Sequence, residues 1–320
     1  MNANYNILVT SLSKKIPLLK AVRSTAEKLD LEGKIYGGDS NAACIGRYFV
    51  DEFWHMPQQN VLTVEDLIDY CKTHEIKAII PTRDEELPFF SSHQKVISEN
   101  GIACMISNTQ CIERCRDKLL FSQFLSPLEI PAIPTVTDIN LLMANTFVVK
   151  ECFGAGSRSV GLNLTANEAK AWAGSLKTPI FQPYIDGKEY SVDVYIDRQN
   201  SPHGAIARSR DLVVNGESQI TSSVHEPEME YLCLRAAVHL GIYGHAVFQL
   251  IRDEESRLHL IECNARFGGA SSLSVAMGLH SFEWFLLESG AVASHALPTF
   301  TRASTEMKQI RHPEDKVIIL

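Results

Sequence analysis

What most constrains this chain is a change in the period of its apolar residues. Over about the first hundred positions, short apolar runs alternate with segments repeating at helical spacing; from Phe147 onward the repeat is two. Tyr5 to Val9, Gly33-Lys-Ile-Tyr-Gly-Gly38, Ala78-Ile-Ile-Pro81 and Ile102 to Ile106 read as strands, the second ending in a glycine turn. Leu18, Leu19, Val22, Ala26 and Leu29 make one helical face. Thr63, followed by acidic residues, predicts an N-cap for a helix running to about Tyr70, and Phe89 to Glu99 reads as another helix. Strands separated by helices imply a parallel sheet with helices on both faces.

A second region starts near Gln110. Ile112 to Phe124 reads as one helix, and Pro127, Pro131 and Pro134 punctuate the connection after it. Phe147-Val-Val-Lys150, Pro179-Ile-Phe-Gln182, Tyr190 to Ile196, Ala205 to Arg210, Ala246 to Ile251 and Leu258 to Glu262 read as strands, with a helix over Glu228 to Leu240. Alternation of this kind marks half-buried antiparallel strands. The expectation is an α/β domain over 1–110, Rossmann-like in shape, followed by an α+β region over 111–320. A chain of 320 residues has room for two such domains.

Several function classes are excluded at this stage. A dinucleotide fold needs G-x-G-x-x-G after its first strand, and Thr10-Ser-Leu-Ser-Lys14 holds no glycine. The net charge of −8 and the lack of a basic block argue against nucleic-acid binding. No apolar run approaches the roughly 20 residues that span a bilayer, and the start has no basic leader, so a cytoplasmic protein without membrane partners is expected. Eight scattered cysteines, with only Cys111 and Cys115 close and no histidine beside them, read as reduced thiols.

Three segments carry chemistry. Lys150-Glu-Cys-Phe-Gly-Ala-Gly-Ser-Arg-Ser159 places a lysine at a strand end before a glycine-containing loop, which could approach a phosphate but, taken alone, reads first as an ordinary hairpin. Phe181-Gln-Pro-Tyr-Ile-Asp-Gly-Lys-Glu-Tyr190 joins two strands by a polar linker; it could offer an adenine edge its backbone groups and a ribose the carboxylate of Glu189, or be a solvated turn. In Leu258-His-Leu-Ile-Glu262-Cys-Asn264-Ala-Arg266, Glu262 and Asn264 are two apart on a strand and share a face. Their oxygens suit a hard cation such as Mg²⁺, with Arg266 near a phosphate; an ion pair of Glu262 with Arg266 is the alternative.

In this order, the segments resemble the ATP-grasp superfamily, and within it proteins similar to the carbamoyl-phosphate synthase large subunit. Glu262-Cys-Asn-Ala-Arg266 resembles the family's E-x-N-x-R, with Ala265 where proline is usual, and Arg116-Asp-Lys118 its D-K before a helix. The resemblance implies a pre-ATP-grasp domain over 1–110 and an ATP-grasp domain over 111–320, with a small lobe over about 111–185 and a large lobe over about 186–320. It implies that Lys118 and Lys150 contact ATP phosphates and that Gly154, Gly156 and Ser157 belong to a mobile glycine loop. Val148 and Leu250 would sandwich the adenine, Gln182 with the backbone of Pro183 and Ile185 would read its edge, and Glu189 would take the ribose. Glu262 and Asn264, with Gln249 as a weaker third ligand, would hold Mg²⁺ or Mn²⁺.

The activity implied is an ATP-dependent ligase that activates a carboxylate as an acyl phosphate for attack by an amine or another nucleophile. Lys150 and Arg266 would neutralise the transferring phosphoryl group. One such unit, where the complete synthase subunit has two, points to a biosynthetic amide-forming ligase, with a homo-oligomer allowed for. The rival is a regulatory ATP or ADP-binding module of the same fold. Acceptor contacts are expected at Arg208 and Arg210, which could equally be solvated charges on a sheet edge. Asp84 and Glu85, after the strand ending at Pro81, stand where ligands gather in open α/β sheets or where a helix is capped.

Overall fold

The computed structural model describes residues 4–13, 15–154, 159–292 and 296–318. Its first sheet contains β1 (Asn6–Thr10), β2 (Ile35–Asp39), β3 (Glu52–His55), β4 (Ile76–Ile80) and β5 (Ala103–Cys104), all parallel, in the order β3-β2-β1-β4-β5. β1 is buried along its whole length because it is central and covered on both faces. Ile7 and Val9 pack with the cluster under helix Ile16–Lys28, and Leu8 with the cluster containing Leu67, Ile68 and Cys71 of helix Val64–Thr73. Thr63 caps that second helix: its Oγ1 accepts from the Asp66 N–H at 3.1 Å, and the Asp66 carboxylate accepts from the Thr63 N–H.

The structure adds strands that the sequence reading did not place, among them Glu52–His55 and Glu217–Val224, and it redraws three of the expected elements. Gly37 and Gly38 lie inside β2 rather than in a turn after it. A Cβ on Gly37 would come within 2.4 Å of Leu12 Cδ1, so the strand passes this close only without a side chain. Phe89 to Glu99 divides into helices Leu87–Ser92 and Gln94–Glu99. The helix expected over Ile112 to Phe124 is broken at Asp117, which is extended (φ −98°, ψ 107°) between helices Thr109–Arg116 and Lys118–Leu125. Asp117 accepts from the N–H groups of Leu119 and Leu120, so the residue that ends one helix caps the next and fixes the direction in which Lys118 leaves it.

The second region contains two antiparallel sheets. β6 (Phe147–Glu151), β7 (Gly161–Leu164) and β8 (Pro179–Pro183) form one, in the order β7-β6-β8. β9 (Gly187–Ile196), β10 (Pro202–Val214), β11 (Glu217–Val224), β12 (Gly244–Asp253), β13 (Leu258–Asn264) and β14 (Lys308–Ile310) form the other, in the order β13-β12-β9-β10-β11-β14. One face of the six-stranded sheet packs on helix Pro227–Leu240 through β9 and β10, with Val192, Val194, Phe248, Leu250 and Leu260 buried in the same core cluster. Gly241 ends that helix with a φ of 78°, a conformation glycine adopts at little cost. The fold is thus a parallel α/β domain followed by two antiparallel sheets. Among the described residues, no helix is long and apolar enough to cross a membrane, and all eight cysteines are free and buried.

A buried polar network ties the six-stranded sheet to the segment after it. Arg208 and Asp193 sit on neighbouring strands, with Arg208 Nε 2.6 Å from Asp193 Oδ2. The other oxygen of Asp193 meets His245 Nε2 at 2.9 Å and accepts from the Ser271 hydroxyl, while the Gly268 N–H donates to Ser271 Oγ at 2.8 Å. Burial alone would raise the Asp193 carboxyl pKa; Arg208, His245 and Ser271 outweigh it and hold the group well below the usual carboxylate range. Asp193→Asn would leave Arg208 as an uncompensated buried charge, at a cost of about 3–5 kcal/mol of stability. A depressed folded-state pKa contributes stability that is present above the unfolded value and lost as pH falls through the folded one. Urea unfolding should therefore show a constant gap between the two proteins from neutral pH down to about pH 4, narrowing below it.

Candidate functional site

The site is built from two facing sheet surfaces and the helix start at Lys118. On the three-stranded sheet, Val148 is paired with Gln182 and Lys150 with Ile180, so these four side chains share one face. Phe147, Val149 and Phe181 occupy the other face and pack with Ile139 and Ala169. On the six-stranded sheet, cross-strand pairing sets Glu262, Gln249, Ser191, Arg208 and Ser223 in one row. Glu189 and Ile251 pair in the adjacent row. The lobes meet where the Ile133 N–H donates to the Leu260 carbonyl at 2.9 Å and where Lys118 Nζ approaches Glu262 Oε2 at 3.7 Å.

The electrostatics centre on Lys118 and Lys150, both only 8% exposed. Lys118 Nζ also donates to the Gly154 carbonyl at 2.8 Å. Lys150 makes no ion pair with any described carboxylate. The neighbouring Glu151 turns away, accepting from the N–H groups of Lys177 and Thr178 at 2.8 and 2.9 Å. Burial pushes the Lys150 ammonium down to about 8, with Glu262 and Glu189 pulling up and Lys118 pushing further down. Two buried cations therefore face Glu262, and Lys150 has no ion-pair partner of its own among the described residues.

The Glu262 strand emerges as its alternation requires. Asn264 Nδ2 lies 3.3 Å from Glu262 Oε1, and Asn264 Oδ1 accepts from Arg266 Nη2 at 3.1 Å. Arg266 does not pair with Glu262. Its guanidinium goes to Asp84, with Nε 3.0 Å from Oδ2, and so joins this strand to the loop after β4. Among the described residues, no group of three or more His, Cys, Asp or Glu side chains could hold a metal ion. The oxygen donors at hand are one carboxylate, Glu262, and the amides of Asn264 and Gln249. That set fits Mg²⁺ where substrate phosphates and water complete the shell.

The other expected residues are distributed as follows. Gln182 is buried and its Nε2 donates to Thr135 Oγ1 at 2.7 Å; the Thr135 hydroxyl donates in turn to the Ile133 carbonyl at 2.9 Å. Pro183 ends β8, and Ile185 is half-buried in the link to β9. Glu189 is exposed; Arg210 Nε lies 3.2 Å from its Oε2, off the angle of a hydrogen bond. Burial pushes the Arg210 guanidinium pKa down, with Glu189 pulling it up. Gly154 is present with a φ of 114°, while Gly156 and Ser157 lie outside the described residues. Glu85 is exposed and paired with Arg83 at 3.2 Å.

Two assignments are redrawn by the strand faces. Leu250 is fully buried and belongs to the core under helix Pro227–Leu240, opposite the face that carries Gln249. Ile251, half-buried and paired with Glu189, stands on the cleft face instead. Arg208 is not a solvated charge at a sheet edge: β10 lies inside the sheet, and its guanidinium is committed to Asp193. The Ile251 position was available from strand parity with Gln249. Thr135 carried no sequence signal, since it meets Gln182 across 47 positions.

Comparison with known proteins follows this geometry. Residues 7–105 match the PylC-like N-terminal domain, and residues 175–312 match a family described as ATP-grasp in the biosynthetic pathway with Ter operon. Comparison with curated protein sequences finds no match. Among solved structures, the chain is similar to the biotin carboxylase domain of Hydrogenobacter thermophilus 2-oxoglutarate carboxylase, solved with MgADP, ADP and bicarbonate. The TM-score is 0.74 at 16% identity, over 95% of this chain and 73% of that one. It is also similar to an L-amino acid ligase from Bacillus licheniformis, with a TM-score of 0.67 at 17% identity over 90% of this chain and 74% of that one. Against N5-carboxyaminoimidazole synthetase from Staphylococcus aureus the TM-score is 0.68 at 16% identity, over 93% and 80%. Likeness at these identities speaks for the fold; of the two family matches, the one over 175–312, which takes in most of the six-stranded sheet, is to an ATP-grasp family, and the one over 7–105 is to the PylC-like N-terminal domain.

Proposed function

We propose that this protein is an ATP-dependent ligase that activates a carboxylate through an acyl phosphate. The observation that carries the reading is the pair of buried ammoniums, Lys118 and Lys150, facing Glu262, with Lys150 lacking an ion-pair partner among the described residues. A buried cation without a partner is costly, and a polyphosphate would supply the missing negative charge. The narrower resemblance to single units of the carbamoyl-phosphate synthase large subunit rests on Glu262, Asn264 and Arg266. The division at 110/111 and between lobes near 185 is part of the same proposal, as is a reducing, cytoplasmic setting for the eight free thiols.

In this reading a carboxylate oxygen attacks the γ-phosphorus as the bond to ADP breaks, and the nucleophile then displaces phosphate from the acyl carbon. Lys150 and Arg266 hold the transferring group and offset its charge; no protein nucleophile is required. Glu262 and Asn264, with Gln249 beside them, would hold Mg²⁺, which would supply further charge neutralisation. Asn264 Oδ1 would release Arg266 to do so. Val148 and Ile251 would enclose the adenine, and Glu189 would exchange Arg210 for a ribose hydroxyl. The rival reading, a nucleotide-binding module without turnover, is favoured by one observation: Glu262 is the single carboxylate in the donor set. ADP release measured against a panel of carboxylates separates the two.

Three outcomes are expected. Glu262→Gln keeps the fold but removes most turnover at saturating Mg²⁺, because an amide lacks the carboxylate's charge; near-normal rates would contradict its role. Lys150→Met weakens ATP binding by about 1.5–3 kcal/mol, while the melting temperature without nucleotide changes little or rises. An unchanged nucleotide-induced shift would remove Lys150 from the phosphate site. The third concerns the base. The Thr135 hydroxyl proton is committed to Ile133, so Thr135 can only accept from Gln182, and Gln182 presents Oε1 as an acceptor. An acceptor suits the adenine amino group and opposes guanine O6. ATP should bind about tenfold or more tighter than GTP, and Thr135→Val, which frees the amide to turn over, should narrow that ratio. Equal ATP and GTP affinity in the wild type, by calorimetry, would remove this role from Gln182.

A further inference from the structure

Glu262 and Arg266 lie close along one strand and the turn after it, yet Arg266 gives its charge to the other domain. Arg266 Nε donates to Asp84 Oδ2 at 3.0 Å, and Nη2 donates to the same oxygen. Nη2 also donates to Asn264 Oδ1 at 3.1 Å, and Nη1 to the Phe267 carbonyl at 3.0 Å. Asn264 Nδ2 lies 3.3 Å from Glu262 Oε1. Glu262, Asn264, Arg266 and Asp84 thus form one chain of contacts from the large sheet to the loop after β4. Arg266 and Asp84 are largely buried, with side chains 15% and 20% exposed.

Asp84 is offered by a loop that is itself held in place. Glu86 accepts from the N–H groups of Thr82 and Arg83, at 2.6 and 3.0 Å, and from Ser11 Oγ at 2.7 Å. Glu85 pairs with Arg83 at 3.2 Å. Neither neighbour is therefore free to replace Asp84 as the partner of Arg266. A further cation stands close by. Burial, and then Arg266, push the Lys15 ammonium down to about 8, while Asp84 pulls it up. Without the Asp84 charge, Lys15 and Arg266 would repel each other unrelieved, and the next carboxylate along the chain of contacts is Glu262.

We propose that Asp84 is a positioning residue of the metal site: it keeps Arg266 on the parallel domain, so that the Glu262 carboxylate and the Asn264 amide oxygen stay open to a divalent cation. The inference rests on the reading that Glu262 and Asn264 hold Mg²⁺, and adds to it a residue from the other domain. A metal can take Asn264 Oδ1 only when Arg266 lets go of it. Asp84 accepts from both Nε and Nη2, so Arg266 can leave Asn264 and still have an anion. With Asp84 neutral, a largely buried guanidinium would lack its partner, and an ion pair with Glu262 would restore one. Lys118 Nζ already lies 3.7 Å from Glu262 Oε2, so a second cation there would cancel the charge that the metal needs. Partners of this kind, one step behind the ligands, set metal affinity as strongly as many ligands do.

The test is Mn²⁺ binding to the full chain saturated with a non-hydrolysable ATP analogue, followed by electron paramagnetic resonance. Asp84→Asn should weaken Mn²⁺ binding about tenfold or more, and Asp84→Glu, which keeps the charge, should recover most of it. In an Arg266→Met background no guanidinium is left to fall on Glu262, so there Asp84→Asn should change the affinity by about twofold or less. Unchanged affinity in Asp84→Asn overturns the proposal. So does an equal loss in both backgrounds, which would mean that the Asp84 charge acts on the metal directly. A crystal structure of the wild-type complex with Mn²⁺ and the analogue needs no variant to fold: Arg266 should remain on Asp84 and be off Asn264 Oδ1, and a guanidinium that has left Asp84 with the metal bound overturns the proposal. Absence of protein-bound Mn²⁺ in the wild type would remove the metal site, and the role of Asp84 with it; wild-type binding that Asp84→Asn leaves intact removes the role of Asp84 alone.

Discussion

Lys118 and Lys150 are buried on one side of a cleft with Glu262 opposite, and much of the surrounding structure makes sense as the means of holding them there. An ammonium does not stay in a low-dielectric cleft by default; it swings out to water or loses its proton. Lys118 is held because Asp117 breaks the helical run, caps the next helix and directs the side chain to the Gly154 carbonyl. Lys150 is held because β6 alternates, with Phe147 and Val149 anchored in their own core cluster. The cost of keeping both charged is a reason to expect an anion between the lobes.

The large sheet supplies a rigid counterpart. The row from Glu262 to Ser223 is a consequence of strand register, and register is secured by the buried face against helix Pro227–Leu240. Asp193 holds Arg208 flat within the row and, through His245 and Ser271, ties the sheet to the segment that follows Arg266. Arg266 then reaches Asp84 in the parallel domain. A run of polar contacts thus leads from the centre of the six-stranded sheet through Ser271 and the Gly268 and Phe267 backbone to Arg266 and the loop after β4.

Much of this was legible in the sequence, and the exceptions have physical reasons. Period-two alternation placed Glu262 and Asn264 on one face, and apolar runs separated by helical segments gave the parallel sheet. Strand parity also separates Ile251, which pairs with Glu189, from Leu250, to which the likeness to a family pattern pointed and which lies in the core. The break at Asp117 was hidden because apolar residues on either side keep a helical period across it. Gly37 looked like a turn because its reason for being glycine, the nearness of Leu12, is tertiary. Thr135 behind Gln182, Asp84 on Arg266 and Glu217 on Arg311 join residues far apart in sequence, where no local pattern reports them.

The most direct test of the central claim is a crystal structure grown with Mn²⁺ and a non-hydrolysable ATP analogue, using the metal's anomalous signal to locate it. The account predicts the triphosphate between the lobes with Lys118 and Lys150 on its oxygens, and a metal peak within about 2.0–2.4 Å of Glu262 and Asn264 oxygens. A nucleotide bound elsewhere, or a metal peak away from Glu262, would contradict it.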